Sequence, residues 1–142
     1  MDAEKEQHMQ ALLDEPILAR LATTNPHTLQ PHVVPVWFLW DGAILWISAF
    51  VSTRKVKDLL KNPRCAVLIE PPQPQGSPLQ AVLLEGAAEL ISPPDPRVAQ
   101  MSERIYTKYL GQEGVLTADP QSWMHDPENR LVRLAPERQL AW

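Results

Sequence analysis

Between positions 52 and 57 the chain gathers two hydroxyls and three cations, in the order Ser52-Thr53-Arg54-Lys55-Val56-Lys57. An apolar run from Ile44 to Phe50 precedes them, and Val56, Leu59 and Leu60 follow at helical spacing. The segment therefore reads as a strand that ends and a helix that begins. Backbone N–H groups at a helix start have no partner inside the helix and favour negative charge, which is the chemistry of a phosphate site. Cations in that turn oppose the helix dipole by about 0.3–1 kcal/mol each unless an anion lies between them. A basic face turned to water would show the same pattern, and local spacing does not separate the two readings.

Other chemistries lack their spacing. The five glycines, at positions 42, 76, 86, 111 and 114, form neither a Gly-x-Gly-x-x-Gly turn nor a P-loop. His8, His27, His32 and His125 put no pair on one helix face, and a lone cysteine adds no ligand pair, so no metal site is expected. No serine occupies a nucleophile elbow, and His125 beside Asp126 and Pro127 reads as a loop residue. Cys65 lies in the apolar run Cys65 to Ile69 and reads as a small buried hydrophobe; with no second cysteine the chain forms no internal disulfide.

Composition bounds the partners. A length of 142 residues fits one domain over 1–142, and 44% hydrophobic residues suffice for a core. Thirteen basic against seventeen acidic residues leave a net charge of −4, which gives no general attraction for nucleic acid or anionic lipid. The N-terminus is charged and no apolar run approaches the ~18 residues of a membrane span, so the expected compartment is the cytoplasm.

The elements that must position the basic cluster follow from periodicity. Residues 2–15 carry Met9, Leu12 and Leu13 at helical spacing and stop at Pro16. Strands are expected over 17–24, 32–40 and 44–50, the first two separated by Asn25-Pro26 and the last two by the hairpin signal Asp41-Gly42; together they read as an antiparallel meander. A short helix over 53–62, capped by Thr53 or Ser52, leads to strands over 65–70 and 81–91, with a proline-rich surface loop between them and Gly86 marking a bulge or a close backbone approach. A second amphipathic helix is expected over 95–110, then an irregular segment over 111–128, then one strand bent at Pro136. The reading is mainly β with peripheral helices and six antiparallel strands.

The strand over 32–40 has no polar face, since Val33, Val34, Val36, Trp37, Phe38, Leu39 and Trp40 fill both sides. Such a strand is covered on both faces, by the core on one and by a partner subunit or a bound cofactor on the other, so a homodimer is expected.

In this frame the sequence resembles the pyridoxamine 5'-phosphate oxidase-like family of FMN-binding split barrels, including its relatives that use the deazaflavin F420. Four stretches carry the resemblance in family order: Leu21 to Thr24; His32 to Phe38 before Asp41-Gly42; Thr53-Arg54-Lys55 through Leu59 to Arg64; and Leu84-Glu85-Gly86-Ala87-Ala88-Glu89. The ending Pro136 to Trp142 is a weaker fifth. The resemblance implies a six-stranded split β-barrel, with FMN or F420 in a site shared by two subunits. It implies that Thr53, Arg54 and Lys55 match the triplet that holds the cofactor phosphate. It also implies that the ring and ribityl chain lie along Val33, Val34, Pro35, Val36 and Trp37 and touch Ser48 and Ala49. Lys57 is added from its place in the first helical turns.

Two departures narrow the activity. The oxidase has a flavin-facing glutamine where this chain has Ala81, with Gln80 one residue earlier, and its substrate-binding Arg-x-His is replaced by Arg133-Leu134-Ala135. The resemblance thus implies a flavin- or deazaflavin-dependent oxidoreductase that passes hydride to or from a small organic substrate other than the pyridoxal vitamer. A cofactor carrier or sensor without turnover is the alternative. Haem binding would need an axial histidine from among His27, His32 and His125. Trp37, Trp46, Trp123 and Trp142 are open between core packing and a pocket wall, and the segment 111–128 is expected to border the pocket as a lid hinged at Gly111 and Gly114.

Overall fold

A computed structural model describes all 142 residues. Helix α1 (Ala3–Asp14) is capped by Asp2, whose carboxylate accepts the Lys5 N–H at 2.8 Å, and is followed by β1 (Ala19–Thr24) and β2 (Pro31–Val36). Next come β3 (Leu39–Trp40), β4 (Leu45–Phe50), α2 (Arg54–Lys61), β5 (Arg64–Ile69) and β6 (Val82–Ile91). The chain ends with α3 (Arg97–Gly114), α4 (Ala118–His125), β7 (Asn129–Leu134) and β8 (Arg138–Ala141). No helix is long and apolar enough to cross a membrane.

All the strands join one curled antiparallel sheet in the order β2-β1-β5-β6-β7-β4-β3, with β8 on β6, which is the architecture of a split barrel. The ten-residue β6 joins the two halves. Val82 to Ala87 pair with β5, and Val82 to Glu85 also with β8 on the other side, whereas Ala88 to Ile91 pair with β7. Gly86 sits at this crossing. A Cβ there would lie 3.2 Å from the Glu137 nitrogen, 3.2 Å from Leu134 Cδ1 and 3.3 Å from the Ala135 oxygen, so the expected close backbone approach is present. Gly86→Val should cost about 1–3 kcal/mol by overpacking, read as a lower denaturation midpoint; an unchanged midpoint would mean that β8 shifts freely.

Two expected strands are broken, so six regions become eight strands. The region 32–40 splits at Trp37-Phe38, and the cause lies in α3. Tyr109 Oη accepts the Phe38 N–H at 3.1 Å and donates to the Ile17 carbonyl at 2.6 Å, while Lys108 Nζ donates to the carbonyls of Phe38 at 3.1 Å and Leu13 at 2.8 Å. With its main-chain groups bonded to side chains, Phe38 needs no strand neighbour. The meander is therefore corrected: β2 and β3 stand at opposite ends of the sheet order. The terminal region likewise divides into β7 and β8, which pair with different stretches of β6.

The segment 111–128 is also corrected, being largely helical. Gly111 at φ +80° kinks α3, and α4 follows within one turn. Two cores result. One fills the barrel with Leu21, Phe38, Ile47, Val67, Leu84 and their neighbours, plugged by Met9, Leu12 and Leu13 of α1. The other lies between the outer face of the sheet and α3–α4, around Trp46, Ile105, Tyr106 and Leu131.

β2 is an edge strand whose outward residues stay open, with Val33 63% exposed and Pro31 and Pro35 also exposed.

Candidate functional site

Alternation along β4 sends Leu45 and Ile47 into the barrel and Trp46 and Ser48 toward α3. Ser48 opens on a groove of two adjoining lobes. One, of about 280 Å³, is bordered by Leu18, Pro35, Val36 and Ile105; the other, of about 200 Å³, by Ala49, Phe50, Thr53, Trp123 and Asn129. Trp37, Ser48, Lys55 and Tyr106 line both. Strand ends, three helices and the start of β7 thus converge on one cleft.

Its outer wall is aromatic. Trp37 stacks on Tyr109 with centroids 4.7 Å apart and planes 5° from parallel, and Tyr106 meets Trp37 and Trp123 edge-on at 6.2 and 5.8 Å. Such a wall suits a flat ring system. Its floor is polar. Ser102, Ser48, Tyr106 and Asn129 form one network, with Ser102 Oγ donating to Ser48 Oγ at 3.1 Å, Ser48 Oγ to Asn129 Oδ1 at 2.8 Å and Asn129 Nδ2 to Ser102 Oγ at 3.0 Å.

The cationic end is built by α2. Thr53 stands at the N-cap position, but its Oγ1 donates to the Phe50 carbonyl at 2.7 Å, and neither Thr53 nor Ser52 caps the helix as expected. The first main-chain bond of α2 runs from Lys57 N to Thr53 O, which leaves the N–H groups of Arg54, Lys55 and Val56 free of protein partners. Lys55 is half-buried, makes no ion pair, and is held below its ordinary pKa by desolvation. Arg54 leans back along its helix toward the buried Asp58, Nε to Oδ2 at 3.8 Å, and Asp58 in turn accepts the Thr23 hydroxyl at 2.9 Å.

Of the residues singled out from sequence, Pro35, Val36, Trp37, Ser48, Ala49, Thr53 and Lys55 line the groove. Arg54 flanks it on the first turn of α2. Val33 points to solvent, Val34 packs against the barrel core and Lys57 is exposed on α2; none of the three lines the groove. None of the histidines does either. Trp46 is core, its indole N–H donating to Asp41 Oδ2 at 3.0 Å, and Trp142 ends the chain away from the groove. Arg133, at the position of the missing substrate motif, pairs with Glu89 at 3.6 Å. Sequence reasoning missed Tyr106, Ser102 and Asn129. Ser102 and Tyr106 stand four residues apart on the apolar stripe of α3, which marks a polar pair facing inward.

A curled sheet in two halves, with an uncapped helix start beside an aromatic groove, defines the split-barrel class. By its match to the model for pyridoxamine 5'-phosphate oxidase over residues 6–142, the chain belongs to that family. Among solved structures it is similar to an F420 reductase, at 24% identity and a TM-score of 0.71, over 92% of this chain and 94% of the other. It is also similar to a conserved hypothetical protein of Mycobacterium tuberculosis, at 22% identity and a TM-score of 0.77, covering 100% and 84%. A third similarity is to a heme-binding protein of Mycobacterium smegmatis, at 16% identity and a TM-score of 0.73, covering 100% and 55%. No curated protein matches the chain.

Proposed function

We propose that the protein is a flavin-dependent oxidoreductase that holds FMN, or the deazaflavin F420, in this groove at a homodimer interface. The observation that carries the reading is Lys55: a half-buried ammonium without a carboxylate partner, set where the free N–H groups of α2 meet the aromatic groove. A desolvated cation beside unpaired N–H donors is unfavourable until an anion joins them. Lys55, Arg54 and the first turn of α2 would hold the cofactor phosphate, and Trp37, Tyr106 and Trp123 would flank the ring. The bound cofactor would supply hydride chemistry, which asks of the protein only orientation and an open ring face.

The dimer enters through the same surface. Leu18 and Pro35 line the groove and are themselves exposed, and Val33 stands exposed two residues before Pro35 on the same edge strand, so a second copy seated on this face would complete the wall. Cofactor binding and turnover go together in one test. Purified apo-protein is titrated with FMN and with F420 by absorbance and fluorescence, then the bound cofactor is reduced and challenged with organic acceptors. Micromolar or tighter binding with reoxidation by an acceptor is expected. Binding without reoxidation by any acceptor would turn the reading to a carrier, and no binding of either cofactor would sink it. Among the structural relatives, the F420 reductase supports the deazaflavin branch. The pairing of a free ammonium with a helix start favours a terminal phosphate, as in FMN.

A further inference from the structure

The hydroxyl network under the groove fixes where each proton points. Asn129 is fully buried, and its Nδ2 lies 3.4 Å from the Met124 carbonyl and 3.0 Å from Ser102 Oγ. Two carbonyl oxygens would repel, so the amide nitrogen must face Met124 and Oδ1 must face Ser48. Ser48 therefore spends its single proton on Asn129 Oδ1 at 2.8 Å. One lone pair of Ser48 Oγ takes the Ser102 proton at 3.1 Å. Only its other lone pair is left for Tyr106, whose hydroxyl lies 2.9 Å away. Tyr106 has to be the donor in that contact.

The consequence falls on the groove. With its proton turned inward to Ser48, the Tyr106 oxygen keeps only lone pairs for whatever binds, and both residues of the contact line both lobes. Burial raises the phenol above its ordinary pKa and outweighs the Ser48 and Ser102 contacts that lower it, so the hydroxyl keeps its proton. We propose that Tyr106 is a fixed hydrogen-bond acceptor for the molecule in the groove, and that it thereby favours the reduced over the oxidised state of the cofactor. The second clause rests on the flavin reading. The polar positions of an oxidised isoalloxazine are acceptors apart from one imide N–H, whereas reduction adds N–H donors. An acceptor wall that cannot reverse its polarity discriminates between the two, because an unpaired polar contact in a desolvated site is costly. Tyr106 is in this sense a specificity-determining residue, acting by the sign of its hydrogen bond.

Two measurements test this, one of them free of cofactor. The chain has only two tyrosines, so the Raman difference between wild type and Tyr106→Phe isolates the Tyr106 ring doublet, which reports whether the hydroxyl donates. A donor-type doublet in the apo-protein, shifting away from that type in Ser48→Ala, is expected; a doublet that is not of donor type in wild type overturns the proposal. In the second measurement FMN, oxidised or reduced with dithionite, is titrated into each protein. Tyr106→Phe should lose about tenfold in affinity for reduced FMN relative to oxidised FMN, a fall of about 30 mV in midpoint potential for two electrons. Ser48→Ala, in which the freed hydroxyl can turn outward, should lose the preference as well. Unchanged affinity ratios alongside intact FMN binding overturn the proposal and leave the flavin reading standing. Uptake of neither FMN nor F420 by wild type overturns the flavin reading and the redox clause with it, while the Raman result still decides the polarity of Tyr106.

Discussion

Replacing Lys55 by alanine should weaken FMN binding tenfold to a hundredfold and leave the denaturation midpoint close to that of wild type. A charge-assisted hydrogen bond to phosphate is worth about 1.5–3 kcal/mol, and about 1.4 kcal/mol is a factor of ten. Stability should hold because Lys55 makes no ion pair in the free protein and its burial already disfavours the charge. Arg54→Ala should cost less, since the Arg54 guanidinium is drawn toward Asp58 at 3.8 Å. The pH profile carries a sign. Desolvation lowers the Lys55 pKa, so in the apo-protein the ammonium loses its proton at a lower pH than an exposed lysine would. Affinity should rise near pH 6 as the phosphate becomes a dianion and decline on the alkaline side below the ordinary lysine range of about 10.4. Lys55→Ala should abolish that alkaline decline, and Lys55→Arg should restore some of the affinity. An alanine variant with wild-type affinity across the range would place the phosphate elsewhere.

Val33→Asp should convert a dimer to monomers and reduce FMN affinity by tenfold or more, although Val33 does not line the groove. The side chain stands 63% exposed on the edge strand, two residues before the exposed Pro35 that does line it. A carboxylate buried without a partner at an apolar interface costs several kcal/mol, enough to separate the subunits at micromolar concentration. In the monomer the residue is solvated, so the midpoint of a dilute sample should hardly move. Sedimentation velocity and an FMN titration on the same preparation check both halves. A wild-type chain that sediments as a monomer at saturating cofactor would end the idea of a shared site, as would a dimeric Val33→Asp protein.

What was legible in the sequence is what local chemistry encodes. The start of α2 was readable because hydroxyls and cations abut a change of period from two to 3.6, and the hairpin at Asp41 because its carboxylate accepts the Ala43 and Ile44 N–H groups at 2.9 and 2.7 Å, both near in sequence. The break at Trp37-Phe38 was not, because the groups that make it, Lys108 and Tyr109, lie some seventy positions downstream. The helix α4 was missed because Pro120 reads as a breaker; it occupies the first turn, where a missing N–H costs nothing. The floor of the groove was hidden for the same reason as the break. Ser48, Ser102 and Asn129 meet only after β4 has paired with β7 and α3 has docked over both.

The prolines of β2 govern how that apolar edge behaves at high concentration. In an antiparallel ladder, alternate residues aim their main-chain groups away from the partner strand, and a proline is tolerated only where its absent N–H would have faced out. Pro31 and Pro35 pair with Thr24 and Arg20 of β1, so the outward positions of β2 are 31, 33 and 35, and Val33 alone retains a donor there. An incoming strand would find one N–H where it needs a row. The edge is sticky through its side chains yet nearly mute in main-chain hydrogen bonding, which bars strand-by-strand growth into fibrils while leaving the surface free for side-chain contact.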